Sequence, residues 1–365
     1  MVLPLDKAVG VTLAYIKQGA PPYSGPSHVY TADLSSNWCV GSTAHGGVLL
    51  GVLTSAVQTH QSLASSPHVH VAHLTSQFLS ASLLGRASVE VQQVSATKRW
   101  TRLDVKLFQY TPDPYPADRT APGVERVLRI TAHFLVGSLP PLPPPGPGPK
   151  TEGTTLNYFE RPCPLLDHPG GLEADTPVPA KLRFRNGMRW KEVRVEKAEG
   201  VLSWGAWIEM TGGEDLTSSA ALLPFFADVA KNGPELLDPP PAPSWYPTMN
   251  LSLDFKAAFP LLSSTSSQSS SLGPARHTLG IYSTTKLIYE GRHDLTVEVW
   301  SAPCELGAGG EAGGQEKDEK GVERWRREGS RLLGVSTQMA LALSLEVNHG
   351  RARKKDDVEN KKARL

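Results

Sequence analysis

The fold class this sequence predicts is α+β, two copies of one unit in which a helix is wrapped by a curved antiparallel sheet. Three observations carry that prediction. One apolar helix followed by four alternating strands occurs twice along the chain. Strands in series without intervening helices pair antiparallel. A single apolar helix per sheet must bury itself against that sheet. The stretch LPPLPPPGPGPK (139–150) forms neither helix nor central strand and reads as the linker between the copies.

In the first copy, residues 1–138, the helix is AHGGVLLGVLTSAVQTH, and the strands are VHVAHLTSQFL, RASVEVQQV, RWTRLDVKLFQ and RVLRITAHFLV. In the second, residues 151–347, SSAALLPFFADVAKN precedes PTMNLSLDFKAAF, TLGIYSTTKLIYEG, RHDLTVEVWSA and RLLGVSTQMALAL. Gly233 is the expected stop of the second helix. Phe78 matches Phe255, residues 103–108 match 295–300, and 126–133 match 331–338, so the offset grows from 177 to 192 to 205. The jumps fall at two low-complexity insertions, SSTSSQSSS (263–271) and GAGGEAGGQEKDEK (307–320), which read as long loops. AYIKQG and VLSWGAWIEM are candidates for a strand ahead of each helix. The architecture is a double hotdog.

Composition narrows the function. Lys plus Arg number 37 and Asp plus Glu 36 in 365 residues, so the net charge of +1 gives no reason to expect a nucleic-acid surface. No apolar run reaches the length of about 18 residues that a membrane span needs. The N-terminus lacks the charged start and apolar core of a signal peptide. Cys39, Cys163 and Cys304 are scattered and odd in number, which fits a reduced intracellular compartment and neither a disulfide framework nor a zinc site.

Several segments resemble the acyl-CoA thioesterase II-like, double-hotdog thioesterases. The first copy carries WCVGSTAHGG, then HVHVAHLTSQFL and RWTRLDVKLFQ. The second carries an Asp on its helix (FFADVAKNG), a Thr early on the next strand (YPTMNLSLDF) and a Gln late on the last (LLGVSTQMAL). In that family these three hydrogen-bond a water that attacks the thioester carbonyl. The resemblance therefore implies Asp228, Thr248 and Gln338 as catalytic residues, acyl-CoA as substrate, and no metal or redox cofactor. It spans roughly Trp38 to Leu343 outside the linker and insertions. Members often carry Arg-Pro after the strand Phe, where this chain has Ser80-Ala81 and Ala257-Ala258. Asn250 and Met339 replace acids common in bacterial members.

The residues suit that chemistry. Thioester hydrolysis needs an oriented water, a base for its proton and donors for the oxyanion. Thr and Gln can fix a water's orientation between them. Strand alternation puts Gln338 on a face with Gly334, Ser336, Ala340 and Ala342, small side chains that permit close approach, although a water-facing Gln would show the same pattern. An exposed Asp228 near its helix end would sit against the negative end of the dipole, an effect under about 1 kcal/mol. Between Asp33 and Glu90 there is no acid, so a helix-borne base must come from the second copy.

His45, Gly46 and Gly47 open the first helix. They read as substrate-binding, through a thioester-carbonyl contact or room for the pantetheine arm, or else as tight packing. His68, His70 and His73 read as structural or surface histidines rather than metal ligands, since no Cys or acid lies nearby. No Gly-x-Ser-x-Gly elbow is present. The leading expectation is an acyl-CoA thioester hydrolase. Two rivals remain: a non-catalytic acyl-CoA-binding protein, and a hotdog hydratase or dehydratase, which pairs the helix acid with a nearby His, absent from 218–233. Homo-oligomerisation is left open.

Residues 348–365 read as a charged disordered tail ending Ala363-Arg364-Leu365, a conservative variant of the Ser-Lys-Leu peroxisomal address. The expected partner is the peroxisomal import receptor, with a cytoplasmic protein as the alternative. A fluorescent fusion with a free C-terminus is expected to be punctate with peroxisomal markers and diffuse once the tripeptide is deleted. Puncta that survive the deletion would refute the address.

Overall fold

The structure is a computed structural model that describes residues 2–18, 26–111, 122–142, 161–173, 182–261, 274–309, 316–317 and 321–344. One continuous antiparallel sheet dominates it. The first copy contributes β1 (Thr12–Lys17), β2 (Ser27–Leu34), β3 (His70–Phe78), β4 (Gly85–Ala96), β5 (Trp100–Thr111) and β6 (Glu125–Gly137). The second contributes β7 (Met188–Glu192), β8 (Leu202–Met210), β9 (Thr248–Phe255), β10 (Thr278–Thr285), β11 (Arg292–Ser301) and β12 (Leu332–Leu341). Their spatial order is β1-β2-β4-β5-β6-β3-β9-β12-β11-β10-β8-β7. The second half thus repeats the first in reverse about the β3–β9 junction.

The junction locates the pseudo-twofold axis. Thr75 lies opposite Ser252, 177 residues on, so these equivalent residues face each other, and the Ser252 hydroxyl donates to Thr75 Oγ1 at 3.0 Å. His73 meets Asp254 at 2.8 Å across the same seam. The 177 offset holds, but the last strand does not. Leu103 lies opposite Phe134 and its equivalent Leu295 opposite Gln338, so Phe134, not His133, is the counterpart of Gln338 and the offset is 204. A one-residue slip exchanges the two faces of a strand. Aligning the Arg residues that begin each strand segment hides it. The strand equivalent to VLSWGAWIEM (β8) is likewise β2, not AYIKQG, which forms the outer edge strand β1.

Two helices lie inside the sheet. The first, α1 (Gly46–Leu63), buries residues around most of its circumference, among them Leu49, Leu50, Leu53, Ala56 and Val57, because the sheet and the second helix enclose it. The second, α2 (Leu223–Asp228), follows a 3₁₀ turn at Ala220–Leu222. Both begin alike: His45 accepts from the Gly47 N–H and Ser219 from the Ala221 N–H. A Cβ on Gly47 would meet Phe225 Cα at 2.7 Å, and one on Gly51 would meet the Ala221 carbonyl at 2.6 Å. The twofold exchanges these two contacts at an offset of 174, so the helices cross at glycines.

The second helix stops at Asp228, before the expected Gly233. Continuing it would require the Ala227 carbonyl to accept from residue 231. That carbonyl is taken instead by the Gln338 amide at 2.5 Å and the Ser336 hydroxyl at 3.2 Å, both from β12. The linker begins docked: the Ala258 N–H donates to the Pro140 carbonyl, and Leu139 and Leu142 pack on the core. The 307–320 insertion also begins packed, with the Gly307 and Gly309 N–H groups donating to Pro169 and Gly170. That segment belongs to an extra layer over the outer face of the second copy, around Leu165, Trp207, Trp300 and Trp325. Residues 263–271 and the C-terminal tripeptide lie outside the described residues.

Far from the β3–β9 seam, His28 and His60 meet edge-on at 4.6 Å between ring centroids. Burial and the neighbouring His28 push His60 down to about 4. His60 therefore stays neutral in the fold while the unfolded chain takes up a proton as pH falls below 6.5. Stability should decline between pH 6.5 and 4 by about 3 kcal/mol from this group. Urea melts across that range are expected to show the decline, and His60→Leu to flatten part of it.

Candidate active site

Where the copies meet, a cavity of about 640 Å³ opens against the N-terminus of α1 and the C-terminus of α2. His45, Gly46, Asp228, Thr248 and Gln338 all line it. Its walls are otherwise mainly apolar and aromatic, including Leu49, Phe78, Trp190, Trp245 and Leu295. Trp190 and Trp245 belong to segments with no clear periodicity, so that wall was not legible beforehand.

Asp228 is buried, with 7% of its side chain exposed. Its Oδ2 accepts from the Gly47 N–H at 2.7 Å, and its Oδ1 accepts from the Thr248 hydroxyl at 3.1 Å. The carboxylate that sits badly at the end of its own helix thus docks on the positive end of the other copy's helix. Burial still pushes its pKa up, while His45, Thr248 and the Gly47 amide pull the other way. His45 lies 3.7 Å from Oδ2. Burial keeps it below its ordinary value, and its Nδ1 accepts from the Gly47 N–H at 3.2 Å. A neutral ring with Nδ1 as acceptor carries its proton on Nε2.

Gln338 is on the inner face of β12, 7% exposed, which removes the water-facing reading. It touches Ala227, the residue before Asp228, rather than Asp228 itself. The glycines divide. Gly46 lines the cavity, and a Cβ there would come within 2.6 Å of Asp228 Oδ2. Gly47 is a packing position, its N–H already engaged by Asp228 and its Cα pressed on Pro224 and Phe225. Asn250 and Met339 bond to each other away from the cavity, the Met339 N–H donating to Asn250 Oδ1 at 3.2 Å, so those departures leave the site untouched. His68 bonds Thr101 at 2.9 Å and His70 accepts from the Leu139 N–H at 3.1 Å, which makes both structural. The absence of a His on 218–233 loses its force as a test, because the first copy delivers His45.

The twofold also defines the mirror place. Thr54 stands where Asp228 would be, Val71 for Thr248 and Phe134 for Gln338. All three are almost fully buried, and the Thr54 hydroxyl donates to Leu50 within its own helix. One of two symmetry-related places carries polar chemistry and the other is core.

Residues 34–135 match the family model of the acyl-CoA thioesterase N-terminal domain. No curated protein matches the sequence. Solved structures share the fold over nearly the whole length. A hot-dog-fold protein of unknown function from Alicyclobacillus acidocaldarius is 13% identical, with 93% of this chain and 98% of that one covered and a TM-score of 0.58. The acyl-CoA thioesterase II TesB2 from Mycobacterium marinum is 12% identical, with the same coverages and a TM-score of 0.53. A TesB protein from Mycobacterium avium subspecies paratuberculosis is 10% identical, with 93% and 97% covered and a TM-score of 0.51. The class is therefore a double hotdog whose first repeat is similar to the acyl-CoA thioesterase N-terminal domain.

Gly47→Ala should separate packing from chemistry. The added methyl would sit 2.5 Å from the Pro224 carbonyl and 2.7 Å from Phe225 Cα, so the helices must part. A loss of about 1–3 kcal/mol is expected in thermal or urea melts, the usual cost of overpacking. Unchanged stability would show that the helix crossing is loose.

Proposed function

We propose that Asp228 is the general base of acyl-CoA hydrolysis, acting on a water held with Thr248 and Gln338. The observation that carries this reading is a buried carboxylate facing an apolar cavity, bonded by Thr248 and by a helix N-terminus of the other repeat. Thr248 donates to Asp228, so its oxygen lone pairs remain for the water. The Gln338 amide N–H group is held by Ala227, which leaves its carbonyl oxygen to accept from the same water. Asp228 takes the water's proton as oxygen attacks the thioester carbon. First-turn amides of a helix have no intrahelical acceptor, so the Gly46 N–H and the His45 Nε2–H are the donors for the developing oxyanion. The tetrahedral intermediate collapses by breaking the carbon–sulfur bond, and the proton passes from Asp228 to the departing thiolate. No metal or redox cofactor enters this scheme. We also propose peroxisomal residence for the chain, on the terminal tripeptide alone.

The contact of His45 with Asp228 keeps hydration of an enoyl thioester as a second reading, since an acid and an imidazole then face one substrate. One acyl-CoA panel separates the readings. Hydrolysis releases free thiol, hydration bleaches the enoyl absorbance without releasing thiol, and an acyl-CoA-binding protein does neither.

Asp228→Asn is expected to lower turnover about 10²–10⁴-fold, the usual worth of a positioned base. Combining it with Thr248→Val should lose less than the sum, because residues acting as a unit are not additive. Thermal stability should stay level or rise at neutral pH. The native Asp228 pKa lies above the unfolded one, so stability falls as pH rises between them, and the neutral amide removes that penalty. In wild type the acid limb of kcat/KM should lie above the ordinary carboxylate range, and it should vanish in the variant. Unimpaired turnover would remove Asp228 from the mechanism.

A further inference from the structure

Behind the first copy's side of the cavity wall lies a buried cation with no acidic partner among the described residues. Arg129, on β6, is 7% exposed. Among the described residues its side chain makes one hydrogen bond, from Nη1 to the Ser80 hydroxyl at 3.1 Å, and Nε is sealed from solvent without a partner there. Nη2 also has no partner there but, unlike Nε, is not sealed off. Two other buried charges show more compensation. Arg326 bonds Glu196 and lies 3.6 Å from Glu323, and Glu214 accepts from the Leu5 N–H. Burial alone shifts Arg129, downward, with no acid acting on it. The sequence shows why none is near from this side, since residues 34–89 of the first copy contain no acid.

A guanidinium stays charged in a protein, and an unpaired charge held out of water is costly unless something compensates it. Its position suggests what does. Ser80, the hydroxyl that Arg129 holds, lines the cavity, and so does Ser82, whose hydroxyl is buried without a partner among the described residues. Three polar groups with spare hydrogen-bonding capacity therefore back one stretch of cavity wall, immediately after the end of β3.

We infer that Arg129, with Ser80 and Ser82, forms a subsite for an anionic oxygen group carried by the thioester substrate, a phosphate of the CoA moiety or a carboxylate on the acyl chain. This rests on the thioester reading of the cavity but concerns binding, so it is tested without turnover. Calorimetric titrations of the full chain would use three non-hydrolysable probes: free CoA, pantetheine, and a pantetheine thioether whose alkyl chain ends in a carboxylate. Arg129→Gln is expected to bind at least one anionic probe about tenfold or more weakly, as loss of a charge-assisted hydrogen bond implies, and pantetheine unchanged. Weakening confined to CoA identifies the phosphate, and weakening confined to the carboxylate probe identifies the acyl end. Melting of the variant should be level with wild type or higher, because an unpaired buried charge has been removed. Equal affinity of wild type and variant for all three probes overturns the subsite. So does loss of folding in both Arg129→Gln and Arg129→Met, which would make Arg129 a support for the 80–82 wall. Failure of hydrolysis with intact, Arg129-dependent CoA binding would sink the catalytic reading and leave this one standing.

Discussion

A single hydrogen bond, from the Gly47 N–H to the Asp228 carboxylate, ties the two repeats together at the place where chemistry is available. The constraint behind it is steric. The bond forms because α1 and α2 cross at glycines, with the Gly47 Cα against Pro224 and Phe225. Any side chain there would push Asp228 off the helix terminus that offsets part of the cost of burying it. The early end of α2 serves the same arrangement. Gln338 and Ser336 take the Ala227 carbonyl, the helix stops, and the carboxylate is left at a free end facing the cavity.

The site is asymmetric within a symmetric frame. Strand order, the Thr75–Ser252 seam and the paired helix caps all obey the pseudo-twofold. The polar set does not. Thr54, Val71 and Phe134 close the mirror place with packed side chains. Two buried carboxylates in one core would double the desolvation penalty, and a core place filled by Val and Phe instead adds apolar burial. The fold can therefore keep one polar centre and use the other place for stability.

Electrostatics around the cavity follow from which repeat supplies which residues. The first repeat brings the helix dipole and His45 to the wall and Arg129 behind Ser80, with no acid between Asp33 and Glu90. The second brings the carboxylate, the hydroxyl and the amide. A carboxylate meets a positive helix end on one side, and a guanidinium without an acidic partner among the described residues backs the wall on the same repeat. Such a distribution suits a substrate with a polarised carbonyl and a separate anion.

The double hotdog was legible because its two periods are local: alternation marks strands, and an apolar run marks the enclosed helix. The order of elements and a family resemblance pointed to Asp228, Thr248 and Gln338, which the fold places on one cavity, and the 177 offset from Phe78 and Phe255 was right. What the sequence left undecided depends on pairing across space. The register of β12 was off by one, since matching Arg residues on two strands does not say which side chains face inward, and only hydrogen bonding to β9 and β11 does. The end of α2 depended on a carbonyl taken by a strand about 110 residues away. His45 could not be assigned to Asp228, nor Arg129 to Ser80, because those contacts bridge repeats or neighbouring strands. The sequence by itself determined the repeat, its apolar interior and which half can carry an acid on its helix. The tertiary structure decided which groups meet, because burial and hydrogen-bond partnership belong to pairs of residues and not to either one alone.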